Sequence, residues 1–294
     1  MSDKPTNQNE INRTPVNLEV NGIRGVSIQP FEQPSQELLG LAKGRKKALL
    51  IDLAATPQIQ ETLRLLSEVG IEISGYRDHH YAPESTNPRD QETAKNAHQI
   101  KEKLGDKARF DLRENAPSCS RLVDLGEAVR EKIDLILHHG DTDGYLGYLK
   151  ACGVAYEGME EDADILDSRG DERKLSVHGK LYRDALVSLP AFDPKRPDIS
   201  NKAKQDIQLE FLSYIQEHFS EETARPLKER AQAAFEQAQT TEELIKVVQI
   251  LEGGIAFVDT SVAGRRKYDP KKLSDALEKL AGVRLTAQKK SFGP

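Results

Sequence analysis

Residues 46–78 read KKALLIDLAATPQIQETLRLLSEVGIEISGYRD, and the fold class turns on this stretch. KKALLIDLA is a short apolar run suited to a buried strand that ends near Asp52. In TPQIQETLRLLSEVG, Thr56 is placed as an N-cap, Pro57 suits the first helical position and Gly70 is a stop signal. Ile59, Leu63 and Leu66 recur at i, i+4 and i+7, one face of a helix. IEISGYRD is a second strand. A strand–helix–strand unit is normally parallel and right-handed.

The alternation continues outward from there. Residues 88–104 are polar and helix-forming, KARFDL is a short strand, and PSCSRLVDLGEAVREK reads as a helix with Ser118 or Ser120 at its start. IDLILHHG is an apolar strand, and DGYLGYLKACG a helix closed by Gly153. Such alternation predicts an α/β fold with a doubly wound, mainly parallel sheet covered on both faces. Upstream, residues 1–15 have the composition of a disordered tail, and VNLEVNGIRGVSIQP suits a short hairpin. Downstream, FDPKRPDISNKAKQ reads as a linker, residues 203–252 as mostly helix with breaks near Ser220 and Thr240, and GGIAFVDTS as a strand. DPKKLSDALEKLAG is a capped helix and VRLTAQ a last strand. The domains expected are a tail and hairpin over 1–44, a main domain over 45–195 and a smaller α+β or helical module over 196–294.

Composition narrows the function classes. The 294 residues are 37% hydrophobic, enough for a sizeable core, and the net charge of −6 excludes a globally basic nucleic-acid coat while leaving room for a local patch. Cys119 and Cys152, the two cysteines, fit no disulfide or zinc-finger spacing, which points to a reducing compartment. No apolar run approaches the roughly 20 residues of a membrane span, and the polar N-terminus lacks a signal-peptide apolar region. The expectation is a cytoplasmic protein with no membrane partner, and a homodimer is among the expected assemblies.

Four of the seven histidines lie in two doublets, His79–His80 within GYRDHHYAP and His138–His139 within ILHHGDTDG. Asp52, then Asp78, His79 and His80, then His139, Asp141 and Asp143 all fall at the carboxyl ends of predicted strands, where ligands bind in parallel α/β sheets. Unpaired carboxylates crowded together shift one another's pKa, and a divalent cation removes the conflict. Mixed Asp and His donors suit Mn²⁺, Fe²⁺, Co²⁺ or Zn²⁺ better than Ca²⁺. With this many donors, two ions about 3.5–4 Å apart would polarise a phosphoryl group and activate water.

These residues resemble the DHH phosphoesterase family. Asp78-His79-His80 matches the string that names it. His139-Gly140-Asp141-Thr142-Asp143-Gly144 is similar to its H-x-D-x-D-G string, Asp52 to an aspartate that ends a strand one helix before Asp-His-His, and APSCSRLVDL to a serine-containing helix start. The resemblance covers roughly residues 45–190. It implies a doubly wound core, two Mn²⁺ ions (Mg²⁺ or Co²⁺ as substitutes) and hydrolysis of phosphoester or phosphoanhydride bonds. Carried over, Asp52, His79, His139, Asp141 and Asp143 would be metal ligands, His80 would contact the metal-bound water or the scissile phosphate, and Asp78 would hold the neighbouring histidines or bridge to a ligand. The motif order departs from the family's. Either the core is circularly permuted, or HHGDTDG fills the slot of the last aspartate motif and the first is degenerate. The Gly-Gly-Gly-His string of the common substrate domain is missing.

Two further segments bear on the site. EGMEEDADILDSRGD places Asp164 and Asp167 near a chain reversal, Asp167 being a further candidate ligand and a solvated acidic loop the alternative. His178 is a candidate substrate contact or a helix-surface residue. Residues 264–294 hold nine Lys/Arg against three Asp/Glu, a balance of +6 in a chain of −6, which suits phosphate binding. Arg265, Arg266 and Lys267 are candidate substrate contacts, with Tyr268 available to stack on a base. Ser118 and Ser120 are a second phosphate-site candidate, with capping as the competing reading. With aromatics at 5% and no Trp, long stacking platforms are not expected. The substrate expected is therefore a small nucleotide or short single-stranded oligonucleotide. The competing reading is a non-catalytic regulator that binds a nucleotide or a protein on the same fold. A dinucleotide-binding oxidoreductase is disfavoured because DLAATPQIQ carries no G-x-G-x-x-G.

Overall fold

The computed structural model describes residues 16–168, 170–186, 188–189, 197–236, 248–251 and 255–258. The described chain opens with β1 (Val16–Val20) and β2 (Ile23–Ile28), an antiparallel hairpin. Its two-residue turn, Asn21-Gly22, has both φ values positive, at 52° and 77°, as a twist-matched hairpin turn requires. Then come α1 (Gln36–Ala42), β3 (Lys47–Ile51), α2 (Pro57–Glu68), β4 (Glu72–Asp78), α3 (Pro88–Leu104) and β5 (Ala108–Phe110). After a 3₁₀ turn at Cys119–Leu122 follow α4 (Glu127–Arg130), β6 (Leu135–His139), α5 (Thr142–Ala151), α6 (Met159–Ser168) and α7 (Val177–Leu186). The remainder is α8 (Pro197–Gln216), α9 (Glu221–Glu236), β7 (Val248–Leu251) and β8 (Ile255–Val258).

The architecture is α/β. Six strands form one sheet in the order β1-β2-β6-β3-β4-β5, parallel from β2 to β5 with β1 antiparallel at the edge. The expected strand–helix–strand unit is present, and Thr56 caps α2 by accepting from the Ile59 amide. Side-chain alternation splits the core into two layers, as a two-residue period requires. Ala48 and Leu50 of β3, with Leu135 and Leu137 of β6, pack under α1, α2 and α3. Leu49 and Ile51, with Ile136, pack under α5 to α9. Beyond β3 the chain first adds strands on one side, through β4 and β5. It then crosses back to place β6 on the other, so a topological switch lies between β3 and β6, where such sheets open a ligand crevice.

Several sequence expectations are corrected. The helix read at PSCSRLVDLGEAVREK is a 3₁₀ turn and a single α turn, interrupted by Gly126 at φ 70°. Tertiary bonds claim its start: the Cys119 amide donates to Asp143 and the Cys119 thiol to the Arg77 carbonyl. The linker read over FDPKRPDISNKAKQ is helical from Pro197, because Ile207, Phe211 and Ile215 form a buried i, i+4, i+8 stripe. That stripe shares one core with Tyr145, Tyr148 and Tyr182, so packing does not break at the boundary expected after residue 195. Each buried side chain of this size contributes about 1.5–3 kcal/mol. Within the segment read as mostly helix, Val248–Leu251 instead pairs antiparallel with Ile255–Val258, as its β-branched Val248 and Ile250 favour. The helix and last strand read beyond residue 268 lie outside the described residues.

Candidate metal centre at the strand ends

Asp52 stands immediately after β3 with φ at +58°, a left-handed conformation that costs a side chain-bearing residue energy and that Asp tolerates better than most. Backbone strain of this kind gathers at functional sites. The conformation is held by the Asp52 amide, which donates to the Arg77 carbonyl of β4 at 2.8 Å. Asp78 closes β4, and His79 and His80 follow it. His139 closes β6. Asp141 then caps α5, its Oδ1 accepting from the Gly144 amide at 3.1 Å. A Cβ on residue 144 would lie 2.5 Å from the His139 carbonyl oxygen, so the glycine of the H-x-D-x-D-G string is what lets the helix start against the strand end.

The structure brings the predicted ligands together. Asp52, His79 and His80 form one set, Asp52, His139 and Asp141 a second, and His79, Asp143 and Asp167 a third, with one donor atom per residue and all donors within 4.8 Å in each set. Asp52 belongs to two sets through different oxygens. Its Oδ1 lies 3.2 Å from His79 Nε2, and its Oδ2 lies 3.5 Å from His139 Nδ1. Asp167, on α6, reaches to 4.0 Å from His79 Nε2. Asp164 does not join; it accepts from Ser118 Oγ at 2.7 Å and from Arg121.

The ring orientations carry the most information. His79 Nδ1 lies 3.0 Å from the Ala116 carbonyl oxygen; it donates there, which turns the Nε2 lone pair toward Asp52 and Asp143. His139 Nε2 lies 3.2 Å from Gln29 Oε1, which leaves Nδ1 facing Asp141 and Asp52. Metal-binding histidines almost always donate their second N–H to an oxygen in this way. His80 is held differently. Its Nδ1 is 2.7 Å from Asp78 Oδ1, and its Nε2 faces Arg113 Nη2 at 2.9 Å.

Both oxygens of Asp52, Asp143 Oδ1, His79 Nε2, His139 Nδ1 and Asp167 Oδ2 are buried with no hydrogen-bond partner. Buried polar atoms are normally satisfied, and like charges about 4 Å apart repel by roughly 4 kcal/mol at an effective dielectric near 20. The side chains register the conflict. Burial, then the Asp141 charge, lifts Asp52 to about 7. Burial, then Asp52 and Asp141, pushes Asp143 well above the carboxylate range. Burial disfavours a charged His139, yet Asp141 and Asp52 outweigh it and raise the ring to about 10. Divalent cations would resolve all of this, and the mixed oxygen and nitrogen donors fit Mn²⁺, Fe²⁺, Co²⁺ or Zn²⁺.

For His80 the influences oppose each other. Burial works against its charge, but Asp78 and Asp52 outweigh burial and lift it to about 9. A guanidinium reaches Nε2 at 2.9 Å only when that nitrogen offers a lone pair, so Arg113 favours the neutral ring.

Other expected contacts are placed elsewhere. Ser118 and Ser120 are fully buried, 2.8 Å from one another through their hydroxyls, and tied to Asp164. They hold the chain together internally, which corrects their reading as an open phosphate site at a helix start. His178 lies 2.9 Å from the Tyr214 hydroxyl and stacks on Phe219 at 4.0 Å, an aromatic packing role. Arg265, Arg266, Lys267 and Tyr268 lie outside the described residues. Sequence reasoning missed Gln29, Arg113 and Lys204. Gln29 follows the hairpin strand β2, and nothing in the sequence ties it to His139. Arg113 follows β5, where the strand-end rule could have found it. Lys204, on α8, adds its field at Asp141 and His138.

No family model matches the chain, and no solved structure matches it. Among curated proteins, the chain is 32% identical over 109 residues to Ras-related protein Rab-26 from Bos taurus, a span of 37% of this chain and 40% of that protein. The chain thus covers about two fifths of that relative's length, which shows no family. Among the described residues, no helix is long and apolar enough to cross a membrane.

Proposed function

We propose that this chain is a metal-dependent phosphoesterase of the DHH kind, with a rearranged motif order. It would hydrolyse phosphodiester or phosphomonoester bonds of a small nucleotide or short oligonucleotide. The observation that supports this most is the shared carboxylate: Asp52 faces His79 with one oxygen and His139 with the other, and both rings are turned by outside acceptors so that their free nitrogens meet it.

Asp52, His79, His139, Asp141, Asp143 and Asp167 would hold two divalent cations, Mn²⁺ being the first choice. When bound, such a pair neutralises phosphoryl charge and makes water nucleophilic at neutral pH. The chain's own groups do the rest. Asp78 fixes the His80 ring through Nδ1. His80 Nε2, at the half-exposed side of the cluster, is placed to give a proton to the departing oxygen. In hydrolysis the oxygen of water forms the new P–O bond, the ester P–O bond breaks, and the water's proton restores His80.

The test is metal content by elemental mass spectrometry on protein prepared without chelators, then hydrolysis of generic phosphodiesters and phosphomonoesters with added Mn²⁺. About two equivalents of metal and Mn²⁺-stimulated turnover are expected. Asp52→Asn should lower the stoichiometry and reduce turnover to background. Neither metal uptake nor hydrolysis in the wild type would leave a binding protein as the better reading.

A further inference from the structure

We propose that Arg113 anchors the substrate's phosphoryl group at the mouth of the cluster, as the cation that selects an anionic ester. This rests on the phosphoesterase reading and deepens it.

The first ground is position. Arg113 lies just past the end of β5, at the same edge of the sheet as the other site residues. Its guanidinium lies between two members of the cluster, with Nη2 at 2.9 Å from His80 Nε2 and 3.4 Å from Asp167 Oδ2. Its side chain is 52% exposed while that of Asp167 is 13% and that of His79 is 0%. Arg113 is therefore the part of this assembly that an incoming solute meets and that can turn without disturbing the buried ligands.

The second ground is charge. Asp52, Asp78, Asp141, Asp143 and Asp167 each bring a negative charge when ionised, so two divalent cations would leave one negative charge over. An arriving phosphate adds more. Cationic side chains at the rim must offset it. Lys204 contributes on the Asp141 side, and Arg113 on the His80 side. The two are not equivalent. Arginine presents a planar fork of donors that matches two phosphoryl oxygens, and Arg113 stands beside the residue assigned to the departing oxygen.

The third ground is exchange. With no substrate, Arg113 uses the His80 Nε2 lone pair as its acceptor. A phosphoryl oxygen is a stronger acceptor for a guanidinium than a neutral imidazole nitrogen. Transfer of Arg113 to the substrate would trade its contact with His80 for two phosphoryl oxygens.

The experiment uses the Mn²⁺-loaded full chain, with inorganic phosphate as the probe in isothermal titration calorimetry. Arg113→Ala should keep the wild-type metal stoichiometry and weaken phosphate binding by about 10-fold or more. Arg113→Lys, which keeps charge without the fork, should fall between. In turnover of a generic ester, Arg113→Ala should raise KM, and Arg113→Lys should recover part of the loss. Equal phosphate affinity in wild type and Arg113→Ala at full metal content would overturn the proposal. So would loss of metal from both Arg113 variants, because Arg113 would then be holding the ligands. The two readings separate cleanly. Phosphate binding that depends on Arg113 without ester hydrolysis by the wild type removes the phosphoesterase and keeps the anchor. Hydrolysis with KM unchanged in Arg113→Ala does the reverse.

Discussion

The two histidine doublets look alike in sequence and are used differently in the fold. His79 and His80 lie beyond the end of β4, where the chain no longer alternates between sheet faces, and both reach the aspartates. His138 is still within β6, so strand alternation sends it the other way. It stacks on Tyr148 with ring centroids 5.3 Å apart and planes 9° from parallel. Burial pulls its pKa down to about 4, so it is a neutral core residue. Only His139 of that doublet belongs to the cluster. The lesson is positional: a histidine at or past a strand's last residue reaches the cluster, and one a single residue earlier packs in the core.

Three measurements test this contrast. The largest effect is expected at His80, the doublet member held by Asp78. His80→Gln should keep the metal content and lower kcat by about 10²- to 10⁴-fold, the usual range for losing a positioned proton donor. Unchanged kcat would make His80 a bystander and the first doublet no more productive than the second. A smaller effect is expected at Gln29, which turns His139. Gln29→Leu should weaken metal affinity by about 10- to 100-fold, read by competition with a chelator. No change would mean that β6 alone orients the ring. The smallest functional effect is expected at His138. His138→Phe keeps a ring against Tyr148 but loses the contact between His138 Nδ1 and the His139 carbonyl oxygen at 2.8 Å. Denaturant unfolding should show a loss of about 1–3 kcal/mol with metal content and KM as in wild type. Loss of metal in this variant would erase the distinction between the doublets.

Much of the site was legible because strand ends are legible. Short apolar runs announce β3, β4 and β6, and the parallel-sheet rule then gathers Asp52, Asp78, His79, His80, His139, Asp141 and Asp143 at one edge. Asp167 could be named only as a candidate, since nothing in MEEDADILDS says which acidic residue of a helix turns inward. Ser118 and Ser120 misled because a serine-rich helix start and a buried 3₁₀ turn share the same local residues, and the deciding bond, from the Cys119 amide to Asp143, is remote in sequence. Gln29 was invisible for the same reason, its partner lying 110 residues away. The α8 helix was hidden by Pro and Asp at its start, which signal a linker until Ile207, Phe211 and Ile215 are counted together.

The position of β6 has a consequence for how the molecule comes into being. It lies between β2 and β3, both of which leave the ribosome earlier. Until residues 135–139 emerge, the hairpin has no seat beside the helical layers, and β2 and β3 each carry a bare edge open to other chains. The strand that joins the two halves also delivers His139, so the centre cannot assemble on a partial chain. A nascent protein of this topology acquires its long-range strand pairing and brings His139 to the aspartate cluster in the same late step.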